Sequence, residues 1–93
     1  MTERQYDSVW DALEDGDSLA ENLKLRSRLM MAIAEYVAES GLTQTEAARK
    51  LGTTQPRLND VIRGRIDKCT VDRLVNMLSQ AGFRVDMKIH HAA

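Results

Sequence analysis

The side chains with most to offer chemically lie between Gln44 and Lys68. Gln55, Arg57, Asn59, Asp60 and Arg63 fall at spacings that turn them outward from one helix. Amides such as Gln and Asn bond adenine N6 and N7 in pairs, a guanidinium bonds guanine O6 and N7, and a carboxylate accepts from cytosine N4. Gln44, Thr54, Arg63, Arg65 and Lys68 are donors of the kind that hold phosphate oxygens, and Pro56 stands in the same exposed set. The chemistry on offer is recognition of base edges combined with a grip on a polyanionic backbone.

Catalysis has no comparable support. His90 and His91 stand in tandem near the end of the chain, Cys69 stands alone, and the carboxylates are scattered. No nucleophile and base occur at workable spacing, no third group orients the histidines, and no glycine-rich loop cradles phosphate. The expectation is a protein that is not an enzyme, with no catalytic residue, no metal ligands and no cofactor. Cys69 precedes a helix cap, where mild activation and a simple need for a small residue are both open readings.

The elements that carry these residues are marked by caps. Tyr6, Val9, Trp10 and Leu13 recur at helical spacing after Asp7 or Ser8, predicting a short amphipathic helix that Asp15-Gly16-Asp17 breaks. Ser18 with Glu21 is a capping-box pattern and opens a long helix to about Ser40, with Leu25, Leu29, Ile33, Tyr36 and Val37 on its apolar face. Thr43 and Glu46 open a second such helix through Leu51, with Gly52 following as C′. Thr54 caps a third, Pro56 sits in its first turn, and it ends near Arg63-Gly64. Thr70 caps a fourth from Val71 to Ala81, whose apolar face is Leu74, Val75 and Leu78. Phe83, Val85, Met87 and Ile89 then alternate with polar residues, which is strand periodicity.

Composition bounds the class. Of 93 residues, 43% are hydrophobic and 29% charged, enough for one small domain. A single cysteine forms no internal disulfide, the longest apolar run (residues 29–34) is far short of a membrane span, and the first residues lack a secretory layout. A cytoplasmic protein with no membrane association is expected. The net charge of −1 conceals a split. Residues 1–22 hold seven acids against Arg4 alone, a net −6, while residues 23–93 hold twelve bases against seven acids, a net +5. Residues 49–68 are denser still, with six bases against Asp60 and Asp67. Such asymmetry suits two surfaces with different partners, or equally an acidic leading segment that merely faces solvent.

From Leu42 to Gly64 the chain reads LTQTEAARKLGTTQPRLNDVIRG. Ala47 and Ala48 let two short helices cross closely, and Leu51, Leu58, Val61 and Ile62 are placed to bury against the long helix, as in a helix-turn-helix. Geometry alone fits any two capped helices with a polar face. The register of Leu42-Thr43-Gln44, Ala48, Leu51-Gly52, Gln55, Leu58, Ile62 and Gly64, however, resembles that of the XRE family, the Cro and phage-repressor class of DNA-binding domains. The resemblance implies an all-α, phage-repressor-like bundle of four to five helices with a C-terminal β-strand. It implies that Gln44 holds a phosphate and braces Gln55, which reads a base, while Arg57 faces the groove. Asn59 and Pro56 depart from the family's usual residues, so base preference does not carry over.

The wider layout, with SVWDAL, NLKLRSRLM and DRLVNMLSQAGFRVDMKI around this core, is similar to the HigA-type antitoxins and their unpaired relatives. That resemblance implies a regulator that represses its own operon and neutralises a small ribonuclease toxin. A stand-alone repressor, or a protein-interaction module on the same fold, is the alternative. The expected organisation is an acidic segment at 1–18, a helical DNA-binding domain at 19–82 with the helix-turn-helix at 43–63, and a strand at 83–90. A lone strand is not stable, so pairing with a two-fold mate is expected, with Phe83, Val85, Met87 and Ile89 at the interface. Pairing within the chain or a frayed tail is the alternative. A homodimer on a palindromic operator in double-stranded DNA follows. Tyr6, Trp10, Asp11 and Glu14 form the candidate surface for a small basic toxin, although Trp10 packed on the protein's own core is the simpler reading.

Overall fold

The computed structural model describes residues 16–91. The short helix expected before them, with Tyr6, Trp10, Asp11 and Glu14, lies outside the described residues. Within them the chain forms α1 (Gly16–Ser40), α2 (Gln44–Lys50), α3 (Gln55–Ile62), a 3-10 turn (Ile66–Lys68) and α4 (Val71–Gln80). The 3-10 turn had no counterpart in the sequence reading.

Helix α1 starts two residues before Ser18, so Gly16 and Asp17 are helical where a break was expected. A glycine costs a helix about 1 kcal/mol relative to alanine. That is too little to end one of 25 residues whose later turns are packed.

The three shorter helices share one pair of terminating devices. At the start, the Thr43, Thr54 and Thr70 hydroxyls accept from the N–H groups of Glu46, Arg57 and Arg73. At Thr43 the box is complete, because the Thr43 N–H donates to Glu46 Oε1 at 2.9 Å. That backbone bond, with the Thr43 side chain, holds the Glu46 carboxyl below its ordinary value. At the finish, each helix closes with paired bonds of the Schellman type. Gly52 donates to Arg49 O and Thr53 to Ala48 O; Gly64 to Val61 O and Arg65 to Asp60 O; Gly82 to Ser79 O and Phe83 to Leu78 O.

All four helices converge on one core. Leu29, Met30 and Ile33 of α1 meet Ala47, Ala48 and Leu51, Leu58 and Val61, and Leu74, Met77 and Leu78. Ala47 and Ala48 are buried, as close crossing of α2 and α3 requires. Ile62 is only half-buried, while Met30 and Met77, absent from the expected faces, are buried.

No strand forms among the described residues. Residues 83–91 follow α4 without regular hydrogen-bonded structure. A strand exists through a ladder with a neighbour, and the described chain offers this segment only helices. Only the start of the segment packs, and Phe83 is itself 45% exposed. The Phe83 ring meets Tyr36 edge-on at 5.5 Å, and Val85 lies half-buried against the core. Met87 and Ile89 are 62% and 86% exposed.

Gly52 shows how tightly the turn before α3 is set. Its φ is +66°, and a Cβ there would come within 2.8 Å of Gln80 Cγ. Gly52→Ala is expected to lower stability by about 1–2 kcal/mol from the left-handed backbone alone, and more if Gln80 does not yield. Urea unfolding followed by circular dichroism measures this; an unchanged midpoint would show that the turn relaxes freely.

Candidate nucleic-acid interface

Helix α3 is anchored by Leu58 and Val61, three residues apart and buried. With about 100° per residue, the arc opposite that anchor is set. Pro56, Asn59, Asp60 and Arg63 stand on its outer side, while Gln55 and Arg57 fall on opposite flanks. Gln55, Pro56, Arg57 and Arg63 are exposed, and Asn59 and Asp60 are half-buried. The sequence reading treated all of these as one outward set, and the structure divides them.

The Gln55 flank faces α2. The Thr45 hydroxyl donates to Gln55 Oε1 at 3.3 Å. Gln44 is half-buried, and its Oε1 accepts from Asn59 Nδ2 at 3.5 Å. The brace between Gln44 and Gln55 implied by the family resemblance is therefore replaced by two pairings one residue apart. Asn59 stands one turn after Gln55 and takes the partner that Gln55 was expected to have. Thr54 is engaged through its oxygen by the Arg57 N–H, which leaves its hydroxyl proton available to an acceptor.

The Arg57 flank faces α4. Arg57, Lys68 and Arg73 line a narrow cleft floored by Val61, Leu74 and Met77, with Cys69 at its edge. No carboxylate lines it, and among the described residues none of the three cations has an ion-pair partner. Such a cluster attracts phosphate. Arg73 was missed by the sequence reading, although Thr70 as a cap places it in the first turn of α4. Thr45 was missed too, and nothing in spacing singles it out.

Asp60 is fixed by a residue of the loop that follows α3. It pairs with Arg65 at 3.0 Å, neither with Arg57 nor with Arg63. The Asp60 side chain is 26% exposed and that of Arg65 50%. The same two residues are joined through the backbone by the Arg65 N–H and Asp60 O at 2.9 Å. Arg63 and Lys68 are exposed on either side.

Cys69 settles into the core rather than the surface. Burial pushes its thiol above the ordinary value, and the charge of Asp60 adds to that. The thiol donates to Arg65 O at 3.5 Å. Of the two sequence readings, its burial fits a small packed side chain.

No helix among the described residues is long and apolar enough to cross a membrane. No curated protein matches the chain. A family model described as a helix-turn-helix domain matches residues 12–90, a span that takes in all four helices and the arc just described. The chain belongs to this helix-turn-helix domain family.

Proposed function

We propose that the protein is a sequence-specific, non-enzymatic repressor of the XRE type that binds a palindromic operator as a homodimer. We further infer that it is the antitoxin of a toxin–antitoxin pair and regulates its own operon. The observation that carries the DNA reading is the divided face of α3. A polar outer arc for base edges is flanked by Arg57, Lys68 and Arg73, which have no ion-pair partner among the described residues. Helix-turn-helix domains place their second helix in the major groove in this way. Gln44, Thr54, Arg63, Arg65 and Lys68 supply backbone contacts in this reading, Gln55, Pro56, Asn59 and Asp60 face the bases, and Arg57 stands at the border between the arc and the cationic flank.

Fluorescence anisotropy with the duplex upstream of the protein's own gene, against a shuffled duplex, tests this at two salt concentrations. Wild type should prefer the upstream duplex and lose on the order of 10³-fold in affinity between low and moderate salt. Gln55→Ala should cost about 1–3 kcal/mol on the upstream duplex and little on the shuffled one. Equal, weak and salt-insensitive binding to both would favour the protein-interaction module instead.

The homodimer rests on residues 83–90. Their alternation leaves Met87 and Ile89 exposed, and Phe83 and Val85 tie the same segment to the core. Pairing with a two-fold copy would give the segment its ladder and set two α3 helices about 34–36 Å apart. The double substitution Met87→Lys with Ile89→Lys is expected to convert a dimer to a monomer in sedimentation velocity. A wild type that sediments as a monomer at micromolar concentration would remove this part of the reading.

The antitoxin role rests on the layout shared with HigA-type antitoxins and on the net −6 of residues 1–22, which suits a basic partner. A small basic ribonuclease encoded beside the gene is expected to bind in calorimetry, with Trp10→Ala and Glu14→Lys weakening it. A neighbour that gives no heat, or none at all, leaves a stand-alone repressor.

A further inference from the structure

Arg26 stands near the middle of α1, far in sequence from the residues above, yet it reaches the loop that follows α3. Its Nη1 donates to Ile66 O at 3.0 Å and to Cys69 O at 3.1 Å. Its Nε donates to Asn22 Oδ1 at 2.6 Å, one turn back on the same helix. One half-buried guanidinium is thus held from behind by Asn22 and grips both ends of the 3-10 turn at Ile66–Lys68.

The two acceptors explain why this grip matters. Cys69 is 4% exposed, and Arg26 is the donor that satisfies its carbonyl. A carbonyl buried without a partner is costly, so the loop would have to open to water if Arg26 were removed. Ile66 O also accepts from the Cys69 N–H at 3.2 Å, which closes the turn on itself. The other end of the loop is tied to α3 through Asp60 and Arg65. The loop is therefore pinned on one side by α3 and on the other by α1. Lys68 and Arg65 ride on it, and Lys68 shares the cleft with Arg57 and Arg73.

Arg26 has no carboxylate partner among the described residues, and all its hydrogen bonds go to neutral oxygens. Salt-bridge chemistry is not what places an arginine here. A group with two separate nitrogens is: Nη1 meets both carbonyls while Nε is held by Asn22, and lysine has one nitrogen for both tasks.

We propose that Arg26 is a positioning residue for backbone binding: its guanidinium, backed by Asn22, fixes the turn at Ile66–Lys68 so that Lys68 and Arg65 meet successive phosphates of the duplex. The proposal rests on the DNA reading above. It assigns Arg26 no contact with DNA.

The test is the salt dependence of binding to a random-sequence 20-base-pair duplex, which reports phosphate contacts without needing an operator. Arg26→Lys keeps the charge but leaves one nitrogen to serve Asn22 and both carbonyls, so the grip on the turn is no longer held from behind. Its slope of log K against log salt should flatten by about one, and its affinity should fall about tenfold at low salt. The discrimination between the upstream and shuffled duplexes should stay within about twofold of wild type. Measurements are made well below each variant's melting temperature, so that a mere loss of stability would leave the slope unmoved. Asn22→Ala, which frees the guanidinium without removing it, should shift the slope in the same direction by less. An Arg26→Lys protein that is folded and binds with the wild-type slope and affinity overturns the proposal while leaving the DNA reading intact. Wild type that binds no duplex overturns both. If Arg26→Lys does not fold, Asn22→Ala carries the decision, and an unchanged slope for it overturns the proposal.

Discussion

Helices of seven and eight residues do not persist alone in water, because nucleation is costly and few bonds follow it. Helices α2 and α3 are of that length, so their existence depends on a shared floor. The largest fully buried side chains are Ile33, Leu51, Leu58 and Leu74. They come one each from α1, the end of α2, α3 and α4. Each is worth roughly 2–3 kcal/mol of burial, and none of them buries without the others. The orientation of α3 is thereby set by the two residues it gives to the core. Its outer arc is the complement of Leu58 and Val61.

The same constraint governs the turn before α3. Leu51 is at once the C-cap of α2 and a fully buried core residue, and Thr54, three residues later, is already the N-cap of α3. The short loop between them has no freedom to spare, which is why Gly52 has to take a left-handed backbone beside Gln80. The start of α3 is fixed to within a residue, and Gln55 and Arg57 leave the helix on predetermined sides. A surface meant to meet a rigid partner benefits from such pre-organisation, since little freedom remains to be lost on contact.

Much of this was legible in the chain because it is local. The three threonine caps and the glycines at 52, 64 and 82 mark helix ends within a few residues of the bonds they make. The apolar spacing of Leu29, Ile33, Leu58 and Leu74 fixes which faces turn inward. What was not legible depends on distance in sequence or on choice among equals. Arg26 meets Ile66 and Cys69 across about forty residues, and no spacing rule links them. Gln44 on α2 accepts from Asn59 rather than from Gln55, one turn earlier on α3, and no spacing rule chooses between them. The alternation after Gly82 predicts a strand because periodicity records which side chains share a face, not whether a ladder partner exists. Phe83 and Val85 show the pattern serving to hold the segment on the core.

The place of Asp60 follows from this division of the interface. A carboxylate on the outer arc of α3 opposes any polyanion, and the overall charge of −1 gives no general attraction to offset it. On the DNA reading the attraction comes from the flank, where Arg57, Lys68 and Arg73 share a cleft that no carboxylate lines. Asp60 is meanwhile neutralised by Arg65, an ion pair partly exposed on both sides. Exposed pairs of this kind are worth about 0–1 kcal/mol, so exchanging Arg65 for another donor is cheap. On the DNA reading, a duplex in the proper register offers Asp60 a base amino group and gives Arg65 a phosphate. A duplex out of register sets the carboxylate against phosphate oxygens, where like charges are costly. On that reading the flank supplies affinity that any duplex can claim, and the acid on the outer arc makes most duplexes poor partners.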